Sequence, residues 1–280
     1  MNIEIAIKNA CRELKKNKIS STLLDSELLL SKVIKKDRKF ILLNLDKKLN
    51  QNDHENFKDL ILERIKGKPI AHLIGFKSFW KYNFKVNEKV LIPRPETEII
   101  VEQVLKIYKN KDKLNFLEVG VGSGCISISI LKEKKSFLAT GVDLSQECIK
   151  ICGYNAKKLG VDNRIKLIKS DVDNLIFRKY DLIISNPPYI KKLDLSKLDR
   201  EIRNYEPKLA LDGGLRGLSV IRKVIKKSSE LIKKRGKFIL EIGYDQKEQV
   251  MKMLNEYNFF INKTLKDLAK NDRCIISTKK

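Results

Sequence analysis

The stretch Asn186-Pro187-Pro188-Tyr189 closes an apolar run, Tyr180-Asp181-Leu182-Ile183-Ile184-Ser185, that reads as a buried strand. Asn186 brings an amide side chain. Pro187 brings a carbonyl whose following residue, Pro188, has no N–H to offer. Open α/β sheets bind their ligands at the carboxyl edge of the strands, and there such a pair of acceptors can hold the two hydrogens of a planar NH2 group. That chemistry is methyl transfer to an amide or amine nitrogen, provided the chain also supplies a site for a methyl donor. By itself the tetrapeptide is equally a strand-end turn with a packed tyrosine.

A donor site is written upstream. Leu117-Glu118-Val119-Gly120-Val121-Gly122-Ser123-Gly124 follows a predicted strand and opens a helix starting near Cys125. Glycines in that place let the backbone turn tightly and approach a ligand, while the helix N–H groups face it. Asp143 ends the next strand about 20 residues on, where an acid can accept both hydroxyls of a nucleoside ribose. A dinucleotide site would use GxGxxG to seat a pyrophosphate. Here the pattern is GxGxG preceded by the acid Glu118, which suits a cationic amino-acid donor, S-adenosylmethionine. Ser170-Asp171-Val172 follows the third strand, where Asp171 and the backbone can bracket an adenine or Asp171 can simply cap a turn.

Transfer from a sulfonium is an SN2 displacement, so the acceptor lone pair must point at the methyl carbon. An amide nitrogen is a poor nucleophile because its lone pair is delocalised into the carbonyl. Hydrogen bonds from both of its N–H groups, to Asn186 and to the Pro187 carbonyl, would orient it and favour pyramidalisation. Alignment and electrostatic placement are then the main catalytic contributions; the proton can leave after transfer, without a strong base. Asn186, Pro187 and Tyr189 are the candidate catalytic residues. Asn186 to Tyr189, with Pro188, are the candidate acceptor-binding residues.

These residues need a framework. Residues 1–75 read as all-helical: Ile3, Ile7, Ala10, Cys11 and Leu14 recur at helical spacing, as do Leu24, Leu28, Leu29 and Val33, and then Phe57, Leu60, Ile61, Arg64 and Ile65 before the stop at Gly67-Lys68-Pro69. Residues 76–92 alternate through Phe79, Tyr82, Phe84, Val86 and Val90, as a β-hairpin between two domains does. Thr97 is a candidate cap for the helix carrying Ile99, Ile100, Val104 and Leu105. Residues 93–280 then alternate strand and helix, with strands expected at 115–119, 137–142, 165–169, 180–185, 237–242, 257–262 and 273–278. The fold class is α/β, a mostly parallel seven-stranded sheet with helices on both faces.

Composition narrows the classes. Hydrophobic residues make up 42% of the 280, enough for real cores. No run of 18 apolar residues occurs, and the amino terminus lacks the features of a signal peptide, so a cytoplasmic protein without a membrane partner is expected. Five cysteines form no CxxC pair and there are two histidines, which argues against a metal site and against histidine acid–base chemistry. The net charge of +24 resembles a nucleic-acid footprint. Only 12 of the 59 basic residues are arginine, however, and scattered lysines make a solvated face rather than a specific groove, so no specific nucleic-acid partner is expected.

Over nearly its whole length the chain resembles the protein-(glutamine-N5) methyltransferases acting on peptide chain release factors, the HemK/PrmC type. The resemblance lies in Leu24 to Leu30, Gly67 to Gly75, Phe79-Trp80, Leu91 to Glu98, Asn186 to Ile190, Tyr205-Glu206-Pro207 with Ala210-Leu211, and Glu241-Ile242-Gly243. It implies a Rossmann-like class I methyltransferase domain and a helical amino-terminal domain that helps dock the release factor, free or in the context of the ribosome. It implies methylation of the glutamine of a Gly-Gly-Gln loop. Carried over by position, Gly120, Val121, Gly122, Ser123, Gly124, Asp143, Val172 and Asn186 contact the donor, with Glu118 and Asp171 beside them, and Asn186 to Tyr189 hold the glutamine. The chain departs from the family's usual Asp and Thr at Glu118 and Val121, and from a frequent aromatic at Val172. Arg94 and Glu98 read either as a surface pair at a helix start or, on the resemblance alone, as the lip of the acceptor pocket; Trp80 reads as a packing residue. The alternatives are a ribosomal-protein glutamine methyltransferase and a nucleic-acid amino-group methyltransferase that flips its base.

Overall fold

The structure, a computed structural model, describes residues 1–175 and 179–280. Two compact units emerge, one formed by Met1–Phe76 with Asp199–Tyr205, the other by Lys77–Leu198 with Glu206–Lys280.

The first unit is helical, and its helix starts follow local chemistry. Helix α1 (Ile3–Lys16) begins where the Asn2 side chain accepts from the Ile5 N–H at 2.9 Å. Helix α2 (Thr22–Ile34) is followed by α3 (Arg38–Leu43), capped by Asp37, and α4 (Gln51–Ile65), capped by Asn50. Each cap satisfies an N–H that the first helical turn leaves unpaired. A short α5 (Ile70–Ile74) stops at Gly75, which takes a left-handed φ of 88°. Ile3, Leu14, Leu29, Leu30, Ile41 and Phe57 build the core. Arg64 is buried in it, donating to Asp25 at 2.7 Å and pairing with Glu201 at 2.6 Å. The apolar periodicity fixed α1, α2 and α4; α3 and α5, at six and five residues, are too short to show one.

The second unit opens with the hairpin β1 (Phe76–Phe79) and β2 (Tyr82–Lys85). Phe79 and Phe84 are fully buried and meet edge to face at 6.1 Å. Trp80, at the turn, packs on the same core and donates from its indole nitrogen to Glu133 at 3.0 Å. Helix α6 (Glu98–Ile107) leads into β3 (Asn115–Val119), α7 (Cys125–Glu133), β4 (Leu138–Asp143), α8 (Gln146–Lys158), β5 (Ile165–Lys169) and β6 (Tyr180–Ser185). After α9 (Arg200–Tyr205), which belongs to the first unit, come α10 (Ser219–Leu231), β7 (Ile232–Glu241), α11 (Lys247–Glu256), β8 (Phe259–Lys266) and β9 (Asp272–Lys279).

The seven strands lie in the order β5-β4-β3-β6-β7-β9-β8, parallel except where β9 runs antiparallel to β7 and β8. This is the expected mostly parallel α/β sheet of a Rossmann-like methyltransferase. Successive strand residues feed opposite faces, as the period of two requires. Phe116, Leu182, Ile184 and Ile239 join the core under α6, α7 and α8, whereas Leu117, Ile183, Phe238 and Leu240 join the core under α10 and α11. The strand order reverses at β3 and β6, which are neighbours in register from Phe116↔Leu182 to Val119↔Ser185. Their carboxyl ends therefore share the switch-point crevice where such sheets bind ligands. Two strands exceed expectation: β8 runs on to Lys266, not 262, and β7 starts at Ile232, not 237. After Ile232, Lys233-Lys234-Arg235 are exposed and lie in a register shift, pairing resuming only at Lys237↔Leu182, with Arg235 at φ 63°, so no side-chain pattern announces them.

Candidate active site

The donor half is built on the loop after β3. Its first two amides, Gly120 N–H and Val121 N–H, both donate to the Val142 carbonyl, at 2.8 and 2.9 Å, which staples the loop to β4. Gly122 N–H donates to Asp143 Oδ2 and Ser145 N–H to Asp143 Oδ1, each at 2.9 Å. Asp143 is thus aimed by the loop it faces. Burial pushes its carboxyl up, against the pull of those backbone donors. Gly124, at φ 81°, has no alternative: a Cβ there would lie 2.6 Å from Cys152 Sγ and 2.7 Å from Ile128 Cδ1. The fully buried Asn155 on α8 donates to the Ser123 carbonyl at 2.9 Å and accepts from the hairpin amide of Lys85 at 2.8 Å.

Glu118 is almost wholly buried at the end of β3. Its Oε2 accepts from the Ser127 N–H at 2.9 Å and from the Ser127 hydroxyl, in the first turn of α7. Desolvation pushes this carboxyl up to about 8. Its Oε1 has no hydrogen-bond partner among the described residues. A carboxyl group thus already occupies the start of α7, where a dinucleotide would place its pyrophosphate. The donor set of Glu118, Asp143 and the glycine loop fits a cationic amino-acid nucleoside, and not a diphosphate. Val121 turns its side chain into the core against Gly141, so the departure to valine falls on the packed side of the loop. Asp171 accepts from the Asp173 N–H at 3.1 Å, capping the turn Val172–Asn174, and Val172 packs beside it on the α10 and α11 core.

The acceptor half follows β6. Asn186 donates from Nδ2 to Thr97 Oγ1 at 3.2 Å, and Thr97 donates to Glu241 Oε2 at 2.7 Å. Thr97 is therefore not the helix cap that its position before α6 suggests: its side chain makes no capping bond and its hydroxyl is spent inside the site. Glu241 ends β7, and burial raises its carboxyl to about 7. The Pro187 carbonyl accepts from no described residue. Gln246 holds the backbone after the prolines, donating to the Tyr189 carbonyl at 2.9 Å and to the Gly217 carbonyl at 3.0 Å. The Tyr189 phenol, raised to about 12 by burial, receives a bond from Arg273 at 3.3 Å. Arg94 and Glu98 do not pair with each other. Arg94 binds Glu206 at 2.6 Å, and Glu98 accepts from the Trp80 N–H at 2.7 Å.

Both halves open on one cavity of about 510 Å³. Glu118, Gly120, Val121, Gly122, Ser123, Asp143, Asp171, Val172, Asn186, Pro187 and Pro188 line it. Gly124 and Tyr189 do not: Gly124 lies behind the wall against Cys152, and Tyr189 packs on the apolar cluster beneath. The wall also includes Leu144, Ser145, Cys125 and Cys148, and Lys223 and Val220 from α10. Ser145 could have been read from sequence as the cap of α8, two residues after Asp143; the α10 contribution has no local signal. Among the described residues no group of three or more His, Cys, Asp or Glu is placed to hold a metal ion, and no helix is long and apolar enough to cross a membrane.

Comparison with known proteins agrees with this geometry. Residues 6–75 match the PrmC N-terminal domain and residues 96–234 the methyltransferase small domain. A release factor glutamine methyltransferase of Clostridium botulinum is 40% identical over 269 residues, covering 95% of this chain and 95% of that protein. One from Fusobacterium nucleatum is 37% identical over 269 residues, covering 95% and 76%. In three dimensions the chain is similar to a methyltransferase from Pyrococcus furiosus with a TM-score of 0.53 at 17% identity, covering 80% of this chain and 98% of that one, a likeness of fold. On these grounds the chain belongs to the release factor glutamine methyltransferase family.

Proposed function

We propose that this protein transfers a methyl group from S-adenosylmethionine to the side-chain N5 of the glutamine in the Gly-Gly-Gln loop of peptide chain release factors. One observation carries the reading. Two acceptors without partners among the described residues, Asn186 Oδ1 and the Pro187 carbonyl, lie at the cavity that the glycine loop, Glu118 and Asp143 also line. They match the two hydrogens of a primary amide.

The donor supplies a methyl on a sulfonium centre. Glu118 Oε1 would take its ammonium group, Asp143 its ribose hydroxyls, and Asp171 with Val172 its base. Asn186 and the Pro187 carbonyl hold the acceptor NH2 so that its lone pair faces the donor end of the cavity. Tyr189 acts from below, fixing the loop and not touching the acceptor. The acceptor nitrogen's proton leaves after transfer, so no group in the cavity has to serve as a strong base. Residues 1–75 would dock the release factor, free or at the ribosome, in the cytoplasm. No metal and no specific nucleic acid take part.

The test is incubation with labelled S-adenosylmethionine and, separately, a release factor, ribosomal protein and DNA, with the label mapped by mass spectrometry. Label on the Gly-Gly-Gln glutamine is the expected result. Label on ribosomal protein or DNA but not on that glutamine would overturn the reading.

A further inference from the structure

The bonds linking Glu241, Thr97 and Asn186 impose a direction on the site. Thr97 is 2% exposed and Glu241 is 1% exposed, so each depends chiefly on its protein partners. A hydroxyl carries one hydrogen. At 2.7 Å the Thr97 hydroxyl gives it to the Glu241 carboxylate, which can only accept. Thr97 Oγ1 is then left with lone pairs alone, and the Asn186 atom 3.2 Å away must be the NH2 end of the amide. Asn186 Oδ1 is thereby turned away from the wall, with no partner among the described residues. We infer that Glu241 is a positioning residue which, through Thr97, locks the Asn186 amide with its oxygen facing the acceptor. The role of that oxygen as an acceptor for a substrate NH2 rests on the function proposed above; the orientation itself does not.

The opposite state is equally defined. A protonated Glu241 can donate to Thr97, whose hydroxyl then donates onward, and Asn186 must offer Oδ1 to the wall. Its NH2 would then meet the NH2 of the acceptor, donor against donor. Burial holds the Glu241 carboxyl at about 7, so both states are within reach near neutrality. The groups facing it are the Tyr189 phenol on its other oxygen at 3.5 Å, Arg273 from β9, Glu96 from the turn before α6, the half-buried thiol of Cys125 and the buried thiol of Cys274. Of these, Cys125, Cys274 and Tyr189 are pushed up by burial, and Arg273 is also raised. Glu118, raised to about 8, lines the same cavity as Asn186, and Glu241→Gln separates its effect from that of Glu241.

The experiment follows the side-chain NH2 resonance of Asn186 in 15N-labelled protein from pH 5.5 to 8.5, identified by its loss in Asn186→Ala. The wild type should titrate with a midpoint near 7. Glu241→Gln and Thr97→Val should abolish that titration, and Thr97→Ser, which keeps the hydroxyl, should preserve it. In turnover, Thr97→Val should lose at least tenfold in kcat with donor affinity within threefold, whereas Thr97→Ser stays within threefold of wild type. An Asn186 resonance flat across pH 7, the same titration in Glu241→Gln, or Thr97→Val turning over at the wild-type rate would each overturn the inference. If Thr97→Val does not fold, Thr97→Ser and Glu241→Gln still decide it. Titration without methylation of a release-factor glutamine would sink the proposed function and leave the positioning chain standing; methylation without titration would do the reverse.

Discussion

Arg94 and Glu206, 112 positions apart in the chain, meet through a 2.6 Å ion pair in which the Glu206 side chain is almost wholly buried. The second oxygen of Glu206 accepts the Ile92 N–H at 3.2 Å. The pair ties the segment before α6 to Pro207, Leu209 and Ala210 of the cavity wall. Arg94→Ala strands a buried carboxylate, and should destabilise the fold by about 3 kcal/mol. Adding Glu206→Gln should restore part of that loss, because the stranded charge goes with it. Urea unfolding of the two single variants and the double variant measures the coupling.

Asn186→Ala should keep affinity for S-adenosylmethionine within about tenfold, because the donor half is held by β3, β4 and their loops, while turnover falls by at least ~100-fold from lost alignment. Calorimetric donor binding beside single-turnover kinetics separates the two. Turnover near wild type would remove Asn186 from the acceptor role.

Glu118 gives a stability signature. Its folded pKa of about 8 lies above its ordinary value of 4.5. Between those values the folded protein holds a proton that the unfolded chain has released. Raising the pH through that window therefore favours the unfolded state, and stability should fall, by at most about 1.4 kcal/mol per pH unit for this one group. Glu241 adds a loss of the same limiting slope over the shorter window between 4.5 and about 7. Glu118→Gln should flatten the decline above pH 7, seen as melting temperatures that no longer drop from pH 7 to 8.5.

The charge of +24 should act on encounter and not on chemistry. kcat/KM for an acidic or ribosome-bound partner should fall roughly three- to tenfold between low and physiological salt, with kcat unchanged. Stopped-flow measurement across a salt series checks both. A flat kcat/KM would show that the lysines serve solubility alone.

The fold was legible where a side-chain period exists. Leu182, Ile183 and Ile184 alternate between two cores, and the glycine pattern after Val119 marks a turn that only a strand–loop–helix unit needs. The start of β7 was not, because residues 233–236 form an irregular, unpaired stretch between Ile232 and Lys237 with no alternating pattern. The positions of Gly120, Gly122, Asp143 and Asn186 at the carboxyl edge of the sheet were readable because each ends or follows a strand, which local pattern locates. Thr97 was misread as a cap, since its partners Asn186 and Glu241 lie 89 and 144 residues away and nothing local distinguishes the two uses of a hydroxyl. The pairing of Arg94 with Glu98, one of the two readings of these residues, fails for the same reason, while Arg94 does line the cavity. Tyr189 was expected at the acceptor; the turn of the backbone after two prolines, held by Gln246, directs it to the core instead.

Asn155 has a consequence of another kind. One side chain, with no exposed surface, holds both the backbone of the hairpin at Lys85 and the backbone of the glycine loop at Ser123. The loop and the hairpin are thereby one mechanical part, although 38 residues separate Lys85 from Ser123. Ordering the loop around a nucleoside should stiffen the hairpin with it. Amide hydrogen exchange at Lys85 becomes a remote gauge of donor occupancy, legible without any acceptor present.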